Sequence, residues 1–268
     1  MNLALRIVSG AVLLAIVAGA LWIGTPAIAV LIGAAVLVGS WELAGLLGHI
    51  HLRPPAWLLY PLSLWLGIRL AFPAAYQDVQ WPLIAALVAG VLAVMALRVG
   101  FDRWCAAVGA SIYLGFGLSF FLGLFLWPAG GTDHFGLRLV GLVLLAVIAG
   151  DTAAYLTGSA VGRHPFFRAI SPRKTVEGAV GGAIATILLT ALAGPALVGI
   201  AAPAAAGLGV LIAVAAQGGD LAESALKRRA GQKDSSRLIP GHGGLLDRID
   251  SLVLVAPVAY CYLRLIAF

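Results

Sequence analysis

Long apolar segments alternate with short polar stretches along the whole chain. Each segment has about the length that an α-helix needs to cross the hydrocarbon core of a bilayer, roughly 20 residues. No run shows the alternating polarity, over about ten residues, that is typical of a transmembrane β-strand. The pattern therefore predicts an all-α, polytopic transmembrane helix bundle of about nine spans. The spans lie at roughly 4–24, 26–47, 55–72, 81–98, 104–127, 136–157, 174–194, 196–216 and 250–267.

Composition supports a lipid environment. Hydrophobic residues make up 62% of the 268 residues and charged residues only 10%, whereas soluble domains carry about 25% charged residues. The net charge of +6 does not indicate nucleic-acid binding, because in a membrane protein the positions of the cations matter more than their sum. We expect the lipid bilayer as a partner and no nucleic acid. The first segment follows Arg6 and could be a signal peptide, but we expect a retained helix.

The distribution of cations predicts the orientation. With the N-terminus cytoplasmic and nine alternating spans, 14 of the 17 Lys and Arg residues fall on the cytoplasmic side. Only Arg69, Arg138 and Arg264 fall on the other side, as the positive-inside rule requires. The loops 158–173 and 217–249 are then cytoplasmic. We divide the chain into N-terminal transmembrane helices, 1–135, and a C-terminal catalytic membrane region, 136–268.

Candidate chemistry begins where the eighth span leaves the bilayer. At helical spacing, Asp220, Glu223, Ser224 and Lys227 share one face. Such a mixed stripe is either an ordinary solvated helix end or one wall of a site.

The following segment favours a site. Lys233 and Asp234 lead to a Gly-rich turn around His242, which ends in Gly243 and Gly244. Glycines let the backbone approach a ligand closely, and a new helix is expected to start near Asp247, with Asp250 at i+3. An Asp at a helix start can be a plain cap. His242 either contacts a phosphate or orders the turn.

Acidic and basic groups together fit phosphate chemistry. A hard ion such as Mg²⁺ binds one or two carboxylates together with phosphate oxygens, and Asp220 and Asp247 stand where two consecutive spans meet this loop. The cations would neutralise phosphate charge. The sequence therefore predicts a phosphoryl or nucleotidyl transfer site without a P-loop. The cations are Lys227, Arg228, Lys233 and Arg248.

A second constellation lies around the sixth and seventh spans. Asp151, inside the sixth span, is either functional or a structural hydrogen-bonding group. We expect Ser171 to be the N-cap of the seventh helix and Pro172 its first residue. That helix would then present its amides and Lys174 to an anion, unless its cations only anchor the span. We expect Glu42, in the second span, to be paired or water-lined and not catalytic.

These residues resemble the signature of the phosphatidate cytidylyltransferases, also called CDP-diacylglycerol synthases. The segment from Ser224 to Asp250 carries that signature, with Lys227-Arg228, Lys233-Asp234, His242-Gly243-Gly244 and Asp247-Arg248 in its positions. The blocks around Asp151-Thr152 and Ser171-Pro172-x-Lys174-Thr175-x-Glu177-Gly178 also match, although Val176 stands where many members have Trp. Residues 1–149 match only as hydrophobic spans.

The resemblance implies that CTP and phosphatidate are converted to CDP-diacylglycerol and pyrophosphate in phospholipid biosynthesis, at the cytoplasmic face of the inner (plasma) membrane. Asp220 and Asp247 would hold Mg²⁺, with a second cation left open. A homodimer is left open as well. Catalytic roles are expected for Asp220, Asp247, Lys227, Arg228 and Arg248. Substrate-binding roles are expected for Ser224, Lys233, Asp234, His242, Gly243, Gly244, Ser171, Lys174 and Thr175, and supporting roles for Asp151, Glu177, Glu223 and Asp250.

Two alternatives remain at this stage. A CTP-dependent polyprenol or phytol kinase would transfer the γ-phosphate and release CDP instead of pyrophosphate. A lipid transporter or non-enzymatic scaffold would have no need of acidic residues together with metal and nucleotide.

Overall fold

The computed structural model describes residues 3–72, 77–78, 80–97, 99–127 and 134–267. Within these ranges the regular structure is helical, apart from the isolated bridges Pro165–Thr175 and Ile239–Gly243. The predicted all-α class is therefore confirmed. The helices are α1 (Leu3–Ile23), α2 (Thr25–His49), α3 (Ala56–Ile68), α4 (Gln80–Leu97), α5 (Phe101–Ser111), α6 (Gly117–Phe125), α7 (Phe135–Val161), α8 (Val176–Val198), α9 (Ala202–Arg229) and α10 (Leu246–Tyr262).

Each of the nine predicted segments coincides with helical structure in the described ranges. The fifth corresponds to α5 and α6, which a π-helical turn, Ile112–Phe116, joins. Among the described residues, five helices are long and apolar enough to cross a membrane: Thr25–His49, Phe101–Phe125, Phe135–Val161, Val176–Val198 and Ala202–Arg229. Shorter apolar helices occupy Ile7–Ile23, Ala56–Ala71 and Gln80–Ala96. By length and composition this is a multi-pass membrane protein.

The chain forms two compact units. Unit 1 comprises the residues up to Leu122 together with Leu226–Ile249, and unit 2 comprises Gly123–Ala225 together with the residues from Asp250 onward. Both α9 and α10 therefore contribute one end to each unit. The division at residue 135 is made by the expected role of each part and not by packing. It stays a prediction. Arg98 and the side chain of Arg6, two of the cations used to predict orientation, lie outside the described residues.

In unit 2, α7 and α8 pack closely through small residues. A Cβ atom on Gly182 would lie 2.8 Å from the carbonyl oxygen of Gly150, and one on Gly178 would lie 2.8 Å from that of Ala154. Such glycines let two helix backbones approach each other inside a bilayer. This contact fixes the start of α8, where the second constellation lies, against the end of α7.

The predicted N-cap of the seventh helix, Ser171 with Pro172 as the first helical residue, is wrong. Helix α8 begins at Val176, with Thr175 as its N-cap, and the Thr175 hydroxyl accepts a hydrogen bond from the Gly178 amide at 3.1 Å. Ser171 lies in a preceding turn, where its carbonyl accepts from the Lys174 amide. The reason is tertiary: a backbone bridge to Pro165 holds Thr175 extended, which is the conformation an N-cap needs.

Candidate active site

The Gly-rich turn is part of unit 1, in residues 232–245, which we call the signature loop. Its turn closes by two backbone hydrogen bonds between Ile239 and Gly243, of 2.8 and 3.2 Å. Gly241 and Gly243 have φ of 80° and 88°, a region that side chains with a Cβ rarely adopt. The loop ends at α10, whose first turn carries Asp247.

Asp247 is held by several hydrogen bonds at the end of the signature loop. Its Oδ2 accepts from the Ser235 amide at 3.0 Å, the Ser235 hydroxyl at 3.0 Å and the Gly244 amide at 2.8 Å. Its Oδ1 lies 2.5 Å from Nζ of Lys227, and the two side chains are only 6% and 12% exposed. Burial raises the pKa of Asp247, but Lys227 and the two amides outweigh burial and hold it below its usual value. Asp247 is therefore a carboxylate at neutral pH.

Glu42 is a site residue that the sequence analysis missed. Its carboxylate, on α2, accepts hydrogen bonds from the hydroxyls of Ser235 and Ser236 and from the amides of Leu245 and Leu246. The residue is 2% exposed. The expectation that it is paired is confirmed, and its partners are both ends of the signature loop. The one feature of the sequence that could have indicated this role is the presence of an acidic residue inside an apolar helix.

His242 orders the turn. Its Nδ1 lies 2.7 Å from the Ser9 hydroxyl of α1, and Ser9 also donates to the carbonyl of Pro240 at 3.1 Å. Of the two roles left open for His242, these contacts agree with ordering of the turn, and contact with a phosphate stays a prediction. The turn is attached to the first helix of the chain, which the signature does not include.

A cavity of about 420 Å³ opens beside the signature loop in unit 1. Gly45 and His49 of α2 line one side, and residues 232–237 line the other. Lys233, Asp234 and Arg237 are exposed there. In the described part of the chain, neither Lys233 nor Arg237 forms a side-chain ion pair, so both are available to an anionic ligand.

In unit 2, Asp220 has a lysine partner of its own. Its Oδ2 lies 2.5 Å from Nζ of Lys174, with side-chain exposures of 36% and 28%. The Ser224 hydroxyl, one helical turn along α9, donates to its Oδ1 at 3.2 Å. The structure thus brings together Asp220, Ser224 and Lys174, which the sequence placed in two separate constellations.

Glu177 organises the loop before α8. Its carboxylate accepts from the amides of Arg163 and His164 and lies 2.5 Å from Nδ1 of His164. With Thr175 capping the helix, Glu177 holds the segment that carries Lys174. This position agrees with the supporting role expected for Glu177.

The positions of the remaining predicted residues say less about their roles. Arg228 is exposed and donates to the Gln232 carbonyl at 3.4 Å, and Arg248 is exposed on the first turn of α10. Asp151 is exposed on α7. Glu223 and Asp250 are buried, at 3% and 8% exposure, and Asp250 accepts from the amide and hydroxyl of Ser251.

The donor set is compatible with Mg²⁺. No cluster of three or more His, Cys, Asp or Glu side chains forms among the described residues. Mg²⁺ in phosphate-transfer sites needs only one or two carboxylates, since substrate phosphates and waters complete its octahedron. Asp220 and Asp247 are carboxylates of that kind, each beside a lysine, and they belong to different units.

Fold and site together define a class: an all-α membrane protein whose helix ends carry carboxylate–lysine pairs, one of which, Lys227–Asp247, lies next to a Gly-rich turn. The sequence profile of the cytidylyltransferase family matches residues 4–266. The chain belongs to this family.

Curated relatives are similar over part of the chain. A protein named phosphatidate cytidylyltransferase from Brucella suis is 44% identical over 137 residues, covering 49% of this chain and 49% of the relative. The chloroplastic phosphatidate cytidylyltransferase 5 of Arabidopsis thaliana is 43% identical over 144 residues, covering 52% and 36%. An uncharacterised Escherichia coli protein, YnbB, is 43% identical over 134 residues, covering 50% and 45%. The matched segments span about half of these relatives' length or less.

Proposed function

We propose that the protein is a CTP:phosphatidate cytidylyltransferase, which makes CDP-diacylglycerol and pyrophosphate. The observation that carries the proposal is Asp247: a carboxylate fixed by the signature loop, paired with Lys227, at the start of a helix. Family membership and the relatives named phosphatidate cytidylyltransferase support the same activity.

The reaction needs charge stabilisation more than proton transfer. The phosphate of phosphatidate is already anionic near neutral pH, so its oxygen can attack the α-phosphorus of CTP without a strong general base. A P–O bond forms there, the bond between the α-phosphorus and the bridging oxygen breaks, and pyrophosphate leaves with that oxygen. Catalysis then consists of aligning the two substrates and compensating their charge.

Asp220 and Asp247 would hold Mg²⁺ in this proposal. When bound, the ion neutralises phosphate oxygens and fixes their position. Lys227 pairs with Asp247 and Lys174 with Asp220, and each lysine would contact phosphate oxygens bound at its own carboxylate. Arg228 and Arg248 are exposed and would add positive charge for the lipid phosphate or the triphosphate.

The cavity beside the signature loop is our candidate for the triphosphate of CTP. Lys233 and Arg237 line it, and their ammonium and guanidinium groups are suited to phosphate oxygens. With the cations of the polar loops facing the cytoplasm, CTP would arrive from that side, and phosphatidate from the adjoining leaflet.

A nucleotide-selectivity assay tests this function. Purified protein in detergent or liposomes is given phosphatidate, Mg²⁺ and each of the four nucleoside triphosphates, and pyrophosphate release is measured. We expect release with CTP that depends on both phosphatidate and Mg²⁺. Release without phosphatidate, or no release with any nucleotide, would contradict the proposal.

A further inference from the structure

We propose that Glu42 is a positioning residue for the reaction: it holds both ends of the signature loop and thereby orients Asp247. The inference rests on the proposed function, because it assigns Glu42 a role through a carboxylate of that site. Glu42 lies on α2, separated by 193 residues from Ser235 and by 204 from Leu246.

The four hydrogen bonds divide evenly between the two ends of the loop. The hydroxyls of Ser235 and Ser236, before the Gly-rich turn, donate at 3.1 and 2.5 Å. The amides of Leu245 and Leu246, after the turn, donate at 3.0 and 2.6 Å. Each carboxylate oxygen takes one hydroxyl and one amide, so Glu42 ties the beginning of the loop to its end.

These donors explain how an acidic residue is tolerated at this depth. Glu42 is 2% exposed, and no Lys or Arg forms an ion pair with it in the described ranges. A buried carboxylate without compensation would be strongly unfavourable. Leu245 and Leu246 provide amides that a helix start leaves without intrahelical acceptors, and the α10 dipole favours negative charge there.

The connection to Asp247 runs through Ser235. The Ser235 hydroxyl lies 3.1 Å from Oε2 of Glu42 and 3.0 Å from Oδ2 of Asp247, so its single proton is shared between the two carboxylates. The backbone at Gly244 packs closely against Glu42, because a Cβ atom added there would lie 2.6 Å from Oε1 of Glu42. This close packing leaves no room for the end of the loop to shift. Glu42 therefore fixes Oδ2 of Asp247 and leaves Oδ1 directed at Lys227.

Three variants separate positioning from general stability. Glu42→Gln keeps the shape but replaces one acceptor oxygen by an NH₂ group, which cannot accept. Ser236→Ala removes one donor to Glu42, together with the acceptor of the Leu238 amide, and provides a milder test if the first variant folds poorly. Ser40→Ala is the matched control, because Ser40 is fully buried on the same helix and its hydroxyl has no hydrogen-bond partner among the described residues.

Hydrogen–deuterium exchange tests the contact without any substrate. In Glu42→Gln we expect peptides covering residues 235–247 to exchange about tenfold faster or more, since charge-assisted hydrogen bonds to backbone amides are lost. Ser236→Ala should show a smaller change in the same peptides, and Ser40→Ala none. Peptides from α7 and α8 should be unchanged in all three. Unchanged exchange at 235–247 in Glu42→Gln would overturn the proposal.

Kinetics test the positioning role. In Glu42→Gln we expect kcat to fall about tenfold or more and the half-saturating Mg²⁺ concentration to rise by a similar factor, with KM for CTP little changed. If Glu42 were merely structural, its substitution would lower the amount of active protein and leave the Mg²⁺ dependence unaltered. That result would contradict the inference. If wild-type protein does not turn over CTP, the proposed function fails, while the exchange experiment still decides whether Glu42 holds the loop.

Discussion

At the scale of single residues, the two carboxylates that we propose as metal ligands each contact a lysine. Asp220 pairs with Lys174 and Asp247 with Lys227, both at 2.5 Å. The sequence indicated Asp220, Asp247 and Lys227 as one mixed set, because their types fit phosphate chemistry, and it placed Lys174 in a separate constellation. It did not indicate which acid pairs with which base. The partners are 46 and 20 positions apart in the sequence, and they meet only through the tertiary fold.

Replacement of either aspartate by asparagine should remove most of the turnover. Asp→Asn keeps the size of the side chain and removes its charge, so Asp220→Asn and Asp247→Asn should each lower kcat by about a hundredfold or more. The double variant should be little worse than either single one, because residues that act as a unit are non-additive. The measurement is CTP- and phosphatidate-dependent pyrophosphate release over a range of Mg²⁺ concentrations.

Asp102→Asn is the matched control, because Asp102 is an exposed acid in the first turn of α5. Thermal unfolding of each variant checks that the fold survives, since Asp247→Asn also removes a charged partner of the poorly exposed Lys227. Near-normal activity of Asp220→Asn or Asp247→Asn, with an unchanged Mg²⁺ requirement, would exclude a shared metal.

At the scale of elements, the sequence predicted the turn of the signature loop but not the start of α8. The glycines around His242 predicted a close backbone turn, and Gly241 and Gly243 have the positive φ that such a turn uses. The start of α8 was placed at Ser171 because Ser-Pro is a common helix beginning. Thr175 is also a good N-cap, and the tertiary bridge to Pro165 decides between the two.

Gly244→Ala should impair the site by crowding alone. A Cβ on Gly244 would collide with the Ser235 hydroxyl and approach Oε1 of Glu42, so both ends of the loop must shift. We expect activity to fall by about tenfold or more, because small displacements of catalytic groups are costly. Gly48→Ala, on α2 with nothing within 4 Å of its added Cβ, should keep wild-type activity. Equal activity of the two variants would show that the loop is not held as described.

At the scale of the whole molecule, hydrophobic segments predicted all nine helical regions seen in the described ranges. Segment length and apolarity are local properties, so a single sequence reveals them. The role of Glu42 is not local: it depends on α2 meeting the signature loop about 200 positions later. Hydropathy placed Glu42 in a span and could not show what it contacts there.

Orientation is tested by labelling of single cysteines in a background without Cys105 and Cys261. Leu238 is exposed in the signature loop, and we expect Leu238→Cys to resist an impermeant thiol reagent in intact cells and to react after lysis. Asp78→Cys, in a loop expected on the opposite side, should react in intact cells. Labelling of Leu238→Cys without lysis would reverse the proposed orientation and remove the site from cytoplasmic CTP.

The position of the transferred phosphorus tests the central claim most directly. Purified protein is incubated with phosphatidate, Mg²⁺ and CTP labelled at either the α- or the γ-phosphorus, and lipid and aqueous products are separated. A cytidylyltransferase must place the α label in the lipid product, with the cytidine, and the γ label in pyrophosphate. Transfer of the γ label to the lipid, with CDP as the aqueous product, would identify a lipid kinase and contradict the account.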